Sequence, residues 1–461
     1  MCRVGETGLK MSSAHEFESR RFLFITHARN FGGAERAITV LASALAELGH
    51  DVHMIQYRFF DTDYPISPLV KIHPMPKKPS NISFVAKKTF KTKQIRRMVK
   101  EIKPDFVIPM LGSVVESAFI ATRFLKTKFI ATVRNNPATS PDTRLGRFKR
   151  NLVCWFSDAV FVQNDEQKKY FSSFIRNKSF AVPNAVFSAF FEKTADISDK
   201  PHQIISVGRY VKQKNQLLLI DAVADLLDKH IKLSFYGGTL DDEVASQLTS
   251  RIKEYSAESN ITLCGRVSDI ENYLQKADLF VLSSDFEGMP NALMEAMAVG
   301  LPCISTNCPT GPSDLIANGE NGLLVPVNDR TAMTNAIKYM LNNPDKARSM
   351  GAKAKEFIFN NYSGKAVAKN FADPSGSSPA LNPPGNMMIW DSLIAFSKTS
   401  TESRIPCASK FLNTFVTTFA PARSKAFVLS YSQLVPGNAG INTNGRAVRT
   451  AGEAVFFSDA V

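Results

Sequence analysis

The chain has 461 residues, 44% hydrophobic and 21% charged, a balance that excludes a disordered chain, and the length implies two or three domains. No run reaches the roughly 18 apolar residues of a membrane-crossing helix, and the six cysteines form no CxxC pair, so they read as small core or loop residues, not as a zinc site or disulfide frame. The net charge of +14 is uneven: residues 1–200 hold 32 Lys+Arg against 18 Asp+Glu, the whole excess, which implies an anionic partner for the first half.

A polar leader over 1–20 lacks an apolar core, so no secretory signal and a cytosolic address are expected. RFLFIT (21–26) reads as a buried strand. Through HARNFGGAER the chain enters an apolar-periodic helix from about Ala34 to Leu48, a strand, glycine turn and helix that bring backbone N–H groups close to a phosphate or sugar. DVHMIQY (51–57) is the next strand. Asp61-Thr62-Asp63 sits in a Pro-rich loop with no supporting pattern, so it reads as loop rather than as a metal site.

Over 84–103, apolar residues interleave with Lys87, Lys88, Lys91, Arg96 and Arg97. This pattern predicts a basic amphipathic helix, either a patch for anionic lipid or a polyanionic acceptor, or the solvated face of a packed helix. Alternation resumes with a strand over 105–109, a helix over Val114–Leu125, and KFIATV (128–133). Arg134 and Asn135 follow at that strand's carboxyl end, where open parallel sheets place ligand groups. A helix to about Phe156, a strand over 159–163, a helix over Asp165–Phe174 and SFAVPNAV (179–186) complete a first domain over 21–187.

A linker over 188–202 leads to a second domain over 203–371 that repeats the pattern. QIISVGRY (203–210), a helix over Gln216–Lys229, a strand and turn, a helix over 241–258 and ITLCG precede a helix over Asp269–Lys276. DLFVLSS (278–284) and GLLVPV (322–327) are strands, and two helices run from Arg330 to about Asn361. The fold class is α/β, two doubly wound, Rossmann-like parallel-sheet domains facing across a cleft. Residues 372–461 are Pro/Ser/Gly-rich at their start and read as a weakly ordered tail.

The stretch Ser283–Asn328 carries the chemistry. Glu287 and Glu295, with seven residues between them, stand on either side of the start of a helix near Asn291, where free N–H groups and a helix dipole suit an anion or a ring of sugar hydroxyls. Gly208-Arg209 closes a strand and Lys214 begins the next helix; two cations suit a diphosphate leaving group, whose departure builds charge.

VGRYVKQKNQ, LFVLSSDFEGMPNALMEAMAVGLPCIST and NCPTGPSDLIANGENGLLVP resemble the donor domain of the family-4 retaining glycosyltransferases, which have the GT-B fold. FGGAER is similar to that family's acceptor-side glycine loop. The resemblance covers about 21–371, and the Cys-Pro-Thr-Gly-Pro-Ser run is similar to members that build bacterial surface polysaccharide or lipid-linked oligosaccharide. It implies that Glu295 binds the ribose, that Glu287 holds the transferred sugar with the backbone of Gly288, Met289, Pro290 and Asn291, and that Arg209 and Lys214 neutralise the diphosphate. Gly32 and Gly33 would let the backbone approach the sugar-phosphate. Where many members carry a histidine, this chain has Arg134, which would contact an acceptor or donor phosphate or brace its loop.

The implied reaction is transfer of a hexose or N-acetylhexosamine from a UDP-sugar to a membrane-associated glycan or lipid-linked acceptor. No metal or other cofactor and no nucleic acid is expected, and the location implied is the cytoplasmic face of the membrane. A sugar-nucleotide epimerase of the same fold and a basic lipid- or nucleic-acid-binding protein are the alternatives. NYSGKAVAKNF (361–371) resembles the start of a helix that crosses back to the first domain.

Overall fold

The computed structural model describes residues 19–30, 32–76, 84–110, 112–227, 230–238 and 242–372. The leader up to residue 18 and the tail beyond Ala372 lie outside the described residues.

The first lobe runs β1 (Arg21–Thr26), α1 (Gly33–Glu47), β2 (Asp51–Gln56), β3 (Lys71–Pro74), α2 (Phe84–Ile102), β4 (Phe106–Pro109), α3 (Gly112–Thr122), β5 (Lys128–Thr132), α4 (Arg144–Phe156), β6 (Ala159–Val162), α5 (Asp165–Lys169), α6 (Ser173–Arg176) and β7 (Ser179–Ala181). Its sheet order is β3-β2-β1-β4-β5-β6-β7, parallel throughout. Strands buried on both faces explain the near-continuous apolar runs such as FLFI in β1.

The second lobe runs α7 (Ser188–Phe191), β8 (Gln203–Val207), α8 (Gln216–Ala224), β9 (Lys232–Tyr236), α9 (Asp242–Glu254), β10 (Ile261–Gly265), α10 (Ile270–Gln275), β11 (Leu279–Leu282), α11 (Asn291–Val299), β12 (Cys303–Thr306), α12 (Pro312–Leu315), β13 (Leu323–Val325), α13 (Arg330–Asn342), α14 (Pro344–Tyr362) and α15 (Gly364–Ala372). The order β10-β9-β8-β11-β12-β13 is again parallel. Strand order reverses between β1 and β4 in one sheet and between β8 and β11 in the other. The loops after β1, β8 and β11 therefore open at switch points, where doubly wound sheets bind ligands.

The last helix returns to the first lobe. Val186 N–H donates to Tyr362 O at 2.8 Å where the outgoing and returning segments run side by side. Beyond them, α15 buries Val367, Ala368 and Phe371 in the first lobe's core. The Phe371 ring lies 5.8 Å from Phe22 and 5.4 Å from Phe161. Burial of each large side chain is worth about 1.5–3 kcal/mol, so this helix ties the two lobes together.

The structure departs from the sequence reading in a few places. The helix expected over Asp165–Phe174 is two short helices, α5 and α6, broken around Tyr170-Phe171-Ser172. The segment read as a linker holds α7, whose Phe190 is buried in the second lobe's core. The helix expected to reach Lys229 stops at Ala224, and β3, a four-residue edge strand, had no strong signal.

Candidate functional site

α11 explains the placement of the glutamates. Pro290 precedes it, Gly300 ends it at φ +84, and Leu293 to Val299 are all buried, so the helix is apolar all round and runs through the core. The close seat of α14 depends on Gly351: a Cβ there would collide with Gly300 O. Glu295 is thus a carboxylate on a core helix, 4% exposed.

The loop after β11 is fastened to the turn after β8. Lys214 Nζ lies 2.6 Å from Glu287 Oε1, and Ser284 Oγ donates to the same oxygen at 2.6 Å. Ser283 Oγ donates to Lys214 O at 3.0 Å, and Asn215, left-handed at φ 44, caps α8 and donates to Asp285 Oδ1 at 2.7 Å. Lys214 packs over Gly208, where a Cβ would sit 3.3 Å from its chain. Arg209 is exposed at the cleft, and its charge reaches Glu35 on α1.

Glu295 meets a residue of the other lobe. The Arg36 guanidinium, one turn into α1, pairs with Glu295 Oε1 and lies over the Tyr64 ring at 4.9 Å and the Phe190 ring at 5.8 Å. Burial pushes the Glu295 carboxyl up against the pull of Arg36. Burial acts to lower the Arg36 guanidinium, but Glu295 and Tyr64 carry it upward.

The start of α11 is likewise bound across the cleft. A Cβ on Gly33 would clash with the Asn291 amide. The close approach that Gly33 permits in this structure is therefore to Asn291. Asn184 Nδ2 donates to Asn291 Oδ1 at 2.7 Å, and Asn184 N–H reaches Met289 Sδ at 3.1 Å. Gly288 faces Gln163, and Asn164 Nδ2 donates to Asp314 Oδ2 at 2.9 Å. Beside Gly32, the Glu35 carboxylate folds back over the helix start.

Arg134 is 8% exposed and has no carboxylate partner among the described residues. Its Nη1 donates to Val182 O at 2.9 Å and to Asn184 Oδ1 at 3.4 Å, and burial lowers its pKa to about 10. In this geometry it braces the segment that presents Asn184 to Asn291. Asn135 is exposed, with its amide turned to Ser140 within the same loop.

On α2, the side chains of Lys87 and Lys88 lie outside the described residues. Arg96 donates to Ala121 O and Arg123 O, both at 2.8 Å, closing the end of α3. Arg97 pairs with Glu101 at 3.2 Å, and Lys91 stands 5.4 Å from the Tyr57 ring. Asp63, in the Asp-Thr-Asp loop, accepts from Gln56 at 2.6 Å and pairs with Arg29 at 3.6 Å. The sequence reading did not single out Arg36, Glu35, Gln163 or Asn184. Arg36 had one signal, its place in FGGAER one turn after the glycines.

Two family models match the chain: Glycosyltransferase Family 4 over residues 31–188 and Glycosyl transferases group 1 over residues 188–357. A Campylobacter jejuni protein, GalNAc-alpha-(1->4)-GalNAc-alpha-(1->3)-diNAcBac-PP-undecaprenol alpha-1,4-N-acetyl-D-galactosaminyltransferase, is 27% identical over 339 residues, 72% of this chain and 92% of that protein. The amylovoran biosynthesis glycosyltransferase AmsD of Erwinia amylovora is 24% identical over 326 residues, 69% of this chain and 89% of that protein. Among solved structures, Anabaena HepE in complex with UDP and glucose superimposes with a TM-score of 0.65 at 15% identity, covering 77% of this chain and 98% of that one.

Proposed function

The chain is a glycosyltransferase of the GT-B fold, related to glycosyltransferase family 4 and group 1, and from that premise we propose the reaction it performs. It transfers a hexose or N-acetylhexosamine, with retention of configuration, from a UDP-sugar to a membrane-associated glycan or lipid-linked acceptor in cell-surface polysaccharide or glycolipid synthesis. It works at the cytoplasmic face of the membrane. Residues 203–371 hold the donor, and residues 21–187 present the acceptor.

The observation that carries this reading is the Lys214–Glu287 pair, 2.6 Å apart beside the start of α11. An ammonium has three donors, and Glu287 takes one, which leaves donors for a diphosphate oxygen. Glu287 keeps its second oxygen for sugar hydroxyls. Glu295, with Arg36 over it, receives the ribose. As the bond from the anomeric carbon to the β-phosphate oxygen breaks, charge grows on the diphosphate, and Arg209 and Lys214 take it up. The acceptor oxygen bonds to the same face of that carbon, and its proton passes to the departing phosphate.

The relatives support the substrate classes: the Campylobacter protein is named for an undecaprenol-diphosphate-linked glycan, and HepE was solved with UDP and glucose. A thermal-shift screen of UDP, GDP and ADP sugars should show the largest stabilisation with a UDP-sugar. Glu287→Ala and Arg209→Ala should each lower turnover of that donor by about 10²–10³-fold with the fold intact. Near-normal rates in both variants would refute the site.

A further inference from the structure

Helix α4 carries a surface that the donor and acceptor chemistry does not use. Its apolar residues Leu145, Phe148, Leu152 and Trp155 recur at helical spacing, yet the residues it buries are Val153 and Cys154. Leu145 is 62%, Phe148 63% and Trp155 44% exposed. Such a stripe on one helix asks for a partner. Between α4 and the segment 170–175 lies an aromatic-lined groove of ≈ 440 Å³, with Phe148, Trp155 and Tyr170 in its walls.

Along the helix itself the charge is of one sign. Residues 143–157 contain Arg144, Arg147, Lys149 and Arg150 and no Asp or Glu. At the far end of the helix, Lys178 Nζ donates to Trp155 O and Ser157 O, both at 2.6 Å, and so satisfies carbonyls there. The contrast with α2 is direct: α2 is also basic, but its Ile95, Met98 and Val99 are buried in the core. α2 turns those three side chains inward, whereas α4 offers cations and exposed apolar side chains together.

We propose that α4 is the membrane-docking surface of this enzyme. It lies flat on a bilayer with acidic headgroups, its cations at the headgroups and Leu145, Phe148 and Trp155 in the interface, with the groove open to an acyl chain. This deepens the reading of a membrane-associated acceptor and rests on it. It also links the bilayer to the cleft. Arg147 Nη1 donates to Pro141 O at 2.9 Å and Asp142 O at 2.7 Å, and Arg150 Nη1 to Pro137 O at 2.7 Å and to Ser140 O. The docked helix thereby holds the loop that leads from Arg134.

The chain has two tryptophans, so a Trp390→Phe background leaves Trp155 as the sole reporter. Vesicles of phosphatidylglycerol in phosphatidylcholine should blue-shift its emission and float the protein. Pure phosphatidylcholine should do so much less, and added salt should weaken the effect. Leu145→Glu with Phe148→Glu, both at exposed positions, should lower vesicle partition by about tenfold or more, while Lys93→Ala with Arg97→Ala on α2 should lower it far less. Unchanged emission, or wild-type flotation of the α4 variant, would overturn the proposal. So would concentration-dependent self-association abolished by the same variant, which would give the face to a second copy. Hydrolysis of the UDP-sugar in solution should be equal in wild type and the α4 variant. If that hydrolysis proceeds and no vesicle binds, the docking surface fails and the transferase reading stands. If vesicles bind and no nucleotide sugar is turned over, the reverse holds.

Discussion

Glu287 and Glu295 flank the start of one helix, but different parts of the molecule hold them. Glu287 is fixed within its own lobe by Lys214 and Ser284, so its position is the same whether the cleft is open or shut. Glu295 is held by Arg36, from the opposite lobe, so its partner is present only when α1 and α11 meet. One carboxylate is seated entirely within its own lobe, and the other takes its counter-ion from across the cleft. The second arrangement also explains the glycine loop: Gly33 without a side chain lets α1 come close enough for Arg36 to reach α11.

Removing the cation from the within-lobe pair should have the largest effect. Lys214→Met takes away charge that would stabilise the departing diphosphate, at a cost of about 10²–10³-fold in kcat. It also leaves Glu287 buried with Ser284 as its remaining partner, which should destabilise the fold by about 3 kcal/mol. Small-angle scattering should show the lobes in their wild-type arrangement. A variant with normal kcat would remove Lys214 from the chemistry.

The across-lobe pair should behave differently. Arg36→Met leaves Glu295 buried without its counter-ion, and its effect should appear in donor KM and in a larger radius of gyration more than in kcat. Combining it with Glu295→Gln should recover part of the lost stability, with a coupling energy of about 1.5–3 kcal/mol in the double-mutant cycle. Additive losses would mean that the two residues act independently, and the distinction between the carboxylates would fall.

What the sequence made legible follows the same division. The start of α11 near Asn291, the Lys214 turn and the alternation of strands and helices are local, because each rests on residues within one or two turns. Both the glutamate pair and the Arg209-Lys214 pair were therefore visible as motifs. Arg36 was not, since its partner is 259 positions away and nothing local reports that distance. The basic helices show the same limit. Charge and periodicity drew attention to α2, whose Ile95, Met98 and Val99 prove to be core, while α4 has a similar pattern in which Leu145 and Phe148 stay exposed. The edge strand β3, with the partly exposed sequence KIHP, and the helix α7 inside a polar segment are stabilised by neighbours more than by their own residues.

The smallest expected effect tests the cleft where the two kinds of partner meet. Glu35 is the third residue of α1, its carboxylate folded back over the helix start, and burial raises its pKa against the pull of its own backbone N–H and of Arg209. Because its folded pKa lies above its unfolded one, the folded chain takes the proton first, and the stability linked to this group falls as pH rises through the folded value. A diphosphate bound at Arg209 adds negative charge nearby and should raise the Glu35 pKa further. Donor binding should then draw in a fraction of a proton and tighten, by about threefold or less, as pH falls from about 8 to about 5. Calorimetry with a UDP-sugar, whose diester phosphates do not titrate in that range, in two buffers of different ionisation enthalpy, measures that uptake directly. Glu35→Gln should abolish it with little change in kcat. If the wild type takes up no proton on binding, Glu35 and Arg209 do not face the diphosphate together, and Glu35 drops out of the part of the site that spans both lobes.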